Sequence, residues 1–147
     1  MGGHPWFYFV AYQPNIALAM QSLRNREFKA GRYNPAVKFP QFPVTANSPS
    51  PGARHPSIEK AMSAADADGT RSVLDIEQVS RQPGHGVVAP VSDKRLLEFF
   101  GTAKPSRVMI EADMDFFEDV ERGQGIYIII YKNERPSEIF FAGYSYD

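Results

Sequence analysis

The chain contains no cysteine. That one absence removes disulfides, thiolate metal sites and cysteine nucleophiles together. Histidine is scarce: His4, His55 and His85 are the only three, and they lie too far apart in sequence for a local metal or base motif. No Walker loop and no G-x-S-x-G elbow is present, so nothing in the sequence implies a cofactor. No apolar run approaches the roughly 20 residues of a membrane helix. The longest, at 6–11 and 126–131, have strand length. Sixteen basic and 17 acidic residues leave a net charge of −1, which argues against a general nucleic-acid binder. The first residues carry no Lys or Arg ahead of the aromatic run, and no small-residue cleavage site follows it, so no secretory leader is expected. Trp6 stands where a myristoylation signal needs Ser or Thr. These readings point to a cytoplasmic protein outside the membrane.

What remains is enough for one core. A chain of 147 residues should expose about 24,000 Å² unfolded and about 7,500 Å² folded, burying about two-thirds of its surface. A hydrophobic fraction of 43 % and a charged fraction of 22 % fit a single globular domain over 1–147.

The run at 6–12 is apolar on both alternating faces and reads as a buried central strand. Asn15 opens a helix with Ile16, Met20 and Leu23 on one face, Arg24, Arg26 and Lys29 near its end, and Gly31 as its cap. Residues 32–56 hold six of the twelve prolines and show no period. Their first part carries Tyr33, Phe39 and Phe42 and should pack on the core; 45–54, polar and Pro-rich, should be a mobile loop tip. Ser57 caps a short helix ended by Gly69. A strand is expected at 72–79, a turn at 82–86, and a helix from Ser92 to Gly101. A longer helix is expected at 105–122, and a hairpin with strands at 125–132 and 137–146. The order β-α-loop-α-β-α-α-β-β predicts an α+β fold, with a four-stranded mixed or antiparallel sheet and helices packed mainly on one side.

Charge is lopsided. Residues 1–57 hold six basic side chains and one acid, Glu27, for +5; residues 58–147 hold ten and sixteen, for −6. Either the halves fold against each other, or the surface offers a basic patch to an anion and an acidic patch to a basic partner. Asp66, Asp68, Gly69 and Asp75 mimic a calcium loop, but Ala64 fills its first position, Arg71 its eighth, and Asp75 stands for the final Glu. A polar turn is the better reading.

Asp75 and Glu77, two apart on the expected strand, would share a face and could act as an acid/base pair beneath a loop bearing Phe39 and Phe42, with Tyr33 lining the pocket. His85, between glycines, could swing into such a site. On the expected helix at 105–122, Glu111, Asp115 and Glu118 form an acidic stripe whose like-charge spacing suits a docking face. Tyr127 and Tyr131 share a face of the hairpin and suit a pocket, a partner or a homodimer contact. The strands lack interleaved Lys or Arg apart from Lys132, against base stacking. A free Gly2-Gly3-His4 terminus would hold Cu(II) or Ni(II) adventitiously through His4. Two functions are therefore expected. The first is a non-enzymatic binding or regulatory module that recognises another protein, of basic character, through the acidic helix and the tyrosine hairpin. The second is a small hydrolase or ligand-binding enzyme built on Asp75, Glu77 and His85.

Overall fold

The computed structural model describes residues 3–117 and 119–147. Its elements are β1 (Pro5–Ala11), α1 (Ile16–Ala30), α2 (Ile58–Ala64), a 3₁₀ turn at Val73–Asp75, β2 (Gln78–Val79) and β3 (Val87–Pro90). After these come α3 (Asp93–Phe100), α4 (Arg107–Ala112), a second 3₁₀ turn at Met114–Phe117, β4 (Gly125–Lys132) and β5 (Arg135–Tyr144). The class is α+β, with a five-stranded mixed sheet in the order β1-β5-β4-β3-β2. β1, β5 and β4 pair antiparallel; β4, β3 and β2 pair parallel. The folded chain exposes 7940 Å², close to the value its mass leads one to expect. No helix of the described residues is long and apolar enough to cross a membrane.

The sheet is covered on both faces, not mainly on one. Trp6, Tyr8, Ile139 and Phe141 pack with Ala19, Met20 and Leu23 of α1 and with Val73, Leu74 and Ile76. On the other face Ile128, Ile130, Phe140 and Ala142 pack with Leu96, Ile110, Phe116 and Phe117. The cause lies in β5: successive residues Ile139, Phe140, Phe141 and Ala142 are all buried, so neither face can be left to water. β1, expected as central, ends the sheet. Its apolar character is met by side chains of the long loop, with Phe42 against Phe7 and Tyr8.

α1 follows its sequence closely. Asn15 accepts from the Leu18 N–H, and Gly31 closes the helix at φ 75°. A Cβ at residue 31 would also collide with the backbone of Gly52, so glycine is required there twice over. The expected loop tip at 45–54 is tethered. The Gly52 N–H donates to Ala30 O at 2.9 Å, and the Arg54 N–H donates to the Tyr33 hydroxyl at 3.2 Å. Ser50 Oγ accepts from Arg32 at 2.6 Å.

Two expected elements differ, and one strand is added. At 72–79 the apolar residues Val73, Leu74 and Ile76 are all buried, a pattern no single strand face provides. Ser72 Oγ accepts from the Leu74 N–H, which starts a 3₁₀ turn and leaves only Gln78–Val79 as strand. At 105–122 the helix stops after Ala112. Asp113 Oδ1 accepts from the Asp115 N–H at 3.3 Å and restarts the chain as a 3₁₀ turn, which buries the adjacent Phe116 and Phe117 together. The stripe of Glu111, Asp115 and Glu118 is therefore not one helical face. Glu111 pairs with Arg107 at 3.5 Å, Asp115 lies exposed on the turn, and Glu118 lies outside the described residues. The fifth strand, β3, was not expected. The hairpin turn is two residues, Asn133 and Glu134, both at positive φ.

Candidate functional site

The 3₁₀ turn ends on Asp75, whose side chain is almost wholly buried. The Thr70 N–H donates to its Oδ1 at 2.7 Å, and the Ser145 hydroxyl donates to its Oδ2 at 2.6 Å. Ser145 Oγ in turn accepts from the Arg71 N–H at 2.9 Å. Asp75 thus staples the turn after α2 to the segment following β5. Burial pushes its carboxyl above the usual carboxylate range, opposed by the bonds from Ser145 and Thr70 and by the charge of His85.

Glu77, two residues on, is exposed. Both carboxylates line a cleft of about 270 Å³ that also takes in Glu59 and Asp66 from the α2 region, Met62 and Tyr146. The His85 ring stacks on Tyr146, centroids 5.0 Å apart and planes 14° from parallel. Three of the expected residues, Asp75, Glu77 and His85, are therefore gathered in one place. Burial raises the Tyr146 hydroxyl, with Asp75, Glu77 and Asp66 adding to the shift. Behind the cleft, Arg24 of α1 donates to Leu74 O at 3.1 Å and feels Glu77, Glu59 and Asp75. Burial lowers its pKa, and the three acids oppose that shift. Among the described residues, no three His, Asp or Glu side chains are disposed to share a metal ion.

The aromatic loop does not cover this cleft. Phe39 lies between the Arg71 guanidinium, 4.5 Å from the ring centroid, and the His4 ring at 5.1 Å. Phe42 packs edge-on against Tyr8 at the far edge of the sheet. Tyr33 is fully buried, stacked on Phe28, with its hydroxyl 2.9 Å from His55 Nδ1. These three hold the loop in place. Tyr127 packs against Phe141, while Tyr131 lies beyond a bulge after Ile130 and meets Lys104 at 5.6 Å. The extra residue of that bulge is Ser137, on β5, so the alternation of β4 between Tyr127 and Tyr131 is uninterrupted. His4 Nδ1 is 2.9 Å from Asp147 O, and Gly2 lies outside the described residues. Sequence reasoning missed Glu59 and Tyr146 and met Asp66 only as part of a calcium-loop mimic; the signal for the acids was their excess after residue 57.

Comparison with family models, curated proteins and solved structures finds no match to this chain.

The raised Asp75 carboxyl gives a stability test. The native state holds the proton more tightly than the unfolded chain, so this group's stabilisation is complete below the ordinary Asp value near 3.9. It is lost as pH rises through the higher folded value. Asp75→Asn keeps an acceptor for Thr70 and cannot ionise. Wild type should therefore lose stability relative to Asp75→Asn across that acid window and hold a constant difference above it. Urea midpoints from about pH 3 to pH 7, the span of carboxyl titration, measure this directly. A difference that does not vary with pH would place the Asp75 carboxyl in the ordinary range.

Proposed function

We propose that this protein is a non-enzymatic recognition module that takes a cationic side chain of a basic protein partner into the cleft of Glu59, Asp66, Asp75 and Glu77. One observation carries this reading. The side chains of Glu59, Asp66 and Glu77 converge on one cleft, yet none makes a hydrogen bond or ion pair with any described residue. Four acids share this cleft with one cation behind it, Arg24, so negative charge remains uncompensated, and a bound cation relieves that repulsion. Tyr146 supplies a ring at the same place, suited to a guanidinium or ammonium group. The excess of acid in residues 58–147 would steer a basic partner toward this side of the molecule. The recognition face thus moves from the interrupted acidic helix to the cleft.

The hydrolase reading has one observation in its favour, the buried Asp75 carboxyl beside Glu77. Against it, both Asp75 oxygens are already engaged, by Thr70 and Ser145. A carboxyl held that way is poorly placed to exchange a proton with a substrate.

The test uses an arginine- and lysine-rich peptide titrated into the whole chain at physiological salt. Glu59→Gln combined with Glu77→Gln should weaken capture by at least about tenfold, and wild-type affinity should fall as salt rises. Asp115→Gln, on the separate 3₁₀ turn, should leave it unchanged. Equal losses from both changes would reduce the effect to net charge and sink the proposal. Turnover of ester or glycoside probes that disappears in Glu77→Gln would favour the hydrolase.

A further inference from the structure

A second cleft, of about 410 Å³, opens at the outer edge of β1. Tyr8 and Phe9 form its floor. Arg26 and Arg32 come from α1 and its cap, Arg107 from the start of α4, and Pro43, Val44, Thr45 and Ala46 close the remaining wall. It thus combines three guanidinium groups with a mostly apolar wall, at a volume usual for a small-molecule site.

Glu27 organises the arginines. Its side chain is 0 % exposed and accepts three charge-assisted bonds, each 2.8 Å long: from Arg26 Nε, Arg32 Nε and Arg32 Nη2. One carboxylate therefore faces two guanidinium groups, which leaves a surplus positive charge on this side. The proximity and bonds of Glu27 raise the pKa of Arg32 further, so it stays charged. Arg32, only 13 % exposed at its side chain, is spent on Glu27 and on Ser50. Arg26 is 48 % exposed and uses only Nε; its two terminal nitrogens have no partner among the described residues. Arg107 approaches from the opposite side of β1. Its guanidinium lies 4.1 Å from the Phe9 ring centroid and bonds Glu138 through Nη1 at 2.9 Å, with Glu111 at 3.5 Å from Nε. Its Nη2 has no such bond.

We infer that this cleft binds a phosphate monoester, with the phosphoryl group bridging Arg26 and Arg107 and the organic body resting against Phe9, Pro43 and Val44. Planar guanidinium forks match oxyanions in pairs of parallel bonds. Arg26 offers two unpaired terminal nitrogens from one wall and Arg107 its one unbonded Nη2 from the other, which suits an acceptor with three oxygens such as a phosphate monoester. Glu27 holds Arg26 by its inner nitrogen and leaves its outer pair unpaired on a side chain that lines the cleft. Arg32, fixed behind, adds charge without direct contact. Two of its arginines come from the basic half of the chain and Arg107 from the acidic half; the site lies apart from the acidic cleft and does not depend on the function proposed for that cleft.

The experiment titrates phenyl phosphate, inorganic phosphate and benzoate into the whole chain by calorimetry. Phenyl phosphate should bind saturably and more tightly than either of the others. Arg26→Gln and Arg107→Gln should each weaken it by at least about tenfold, the scale of one lost charge-assisted bond. Arg81→Gln, remote from the cleft, should not change it. Should either variant fail to fold, the side-chain Nε–H resonances of Arg26 and Arg107 in wild type decide the matter, because both should shift with phenyl phosphate. Absence of saturable binding, unchanged affinity in both folded variants, or motionless Nε–H resonances would overturn the proposal. Benzoate binding as tightly as phenyl phosphate would overturn its assignment to phosphate.

Discussion

Glu27→Ala should destabilise the protein by about 3–5 kcal/mol, the range for removing one partner of a buried ion pair. Glu27 is the acceptor for both Arg26 and Arg32, and its removal leaves the Arg32 fork facing a buried space with only Ser50 to bond. The cost arises from the cation left behind, not from the strength of the original pair. Two comparisons separate these. Glu27→Gln keeps an acceptor oxygen and should cost less than Glu27→Ala. Glu27→Ala with Arg32→Met removes both charges and should be milder than Glu27→Ala alone, with a coupling of at least about 1 kcal/mol between the sites. Urea unfolding followed by circular dichroism measures all three. A cost below about 1 kcal/mol for Glu27→Ala would mean that solvent reaches Arg32 freely, despite its burial.

The same residue shows where a sequence can be read and where it cannot. The Asn15 cap and the Gly31 terminus are local, so α1 is legible from its own letters. That Glu27 is wholly buried is not legible, because the burial comes from a loop whose Ser50 lies 18 residues beyond Arg32. The charge asymmetry was visible in the sequence. Which acids share the acidic cleft was not, since Glu59, Asp66, Asp75 and Glu77 are brought together there only by the tertiary fold.

The misread elements have a common cause in local polar bonds that compete with regular structure. Asp113 ends a helix that hydrophobic spacing would continue, and Ser72 turns a strand-like stretch into 3₁₀. β3 was invisible because four residues bounded by glycine and proline carry too little pattern to identify. Its partners are β2 and β4, the latter a parallel neighbour that arrives only after two helices. The central hairpin, by contrast, announced itself through two apolar runs either side of Asn133, and only its second strand shifted, from 137–146 to Arg135–Tyr144. Asp75, Glu77 and His85 were brought together as expected for a site, but by Tyr146 rather than by the Phe39 and Phe42 loop.

Trp6→Ala should also cost about 3–5 kcal/mol, the range for deleting a buried indole. Trp6 is fully buried and pairs with Gly143 across β1 and β5, while Gly143 pairs with Gly125 across β5 and β4. The ring lies over both glycines. A Cβ at Gly143 would stand 2.5 Å from Trp6 Cζ2, and one at Gly125 would stand 3.0 Å from Cη2. The ring thus fills a trough that only glycines leave open, and its loss creates a cavity that two rigid central strands cannot close. Trp6 Nε1 has no hydrogen-bond partner among the described residues, so Trp6→Phe sheds an unpaired buried donor and should cost clearly less than alanine. Gly143→Ala supplies the discriminating measurement. In wild type its methyl meets both the ring and the Gln124 carbonyl oxygen, also at 2.5 Å. In Trp6→Ala the backbone remains in the way, through that carbonyl and Gly125 Cα at 3.0 Å. The two substitutions together should therefore cost less than the sum of their separate effects, by at least about 0.5 kcal/mol in urea titrations. Strict additivity would mean that the neighbouring backbone alone sets the need for glycine at 143, and that the ring rests on these strands without being shaped to them.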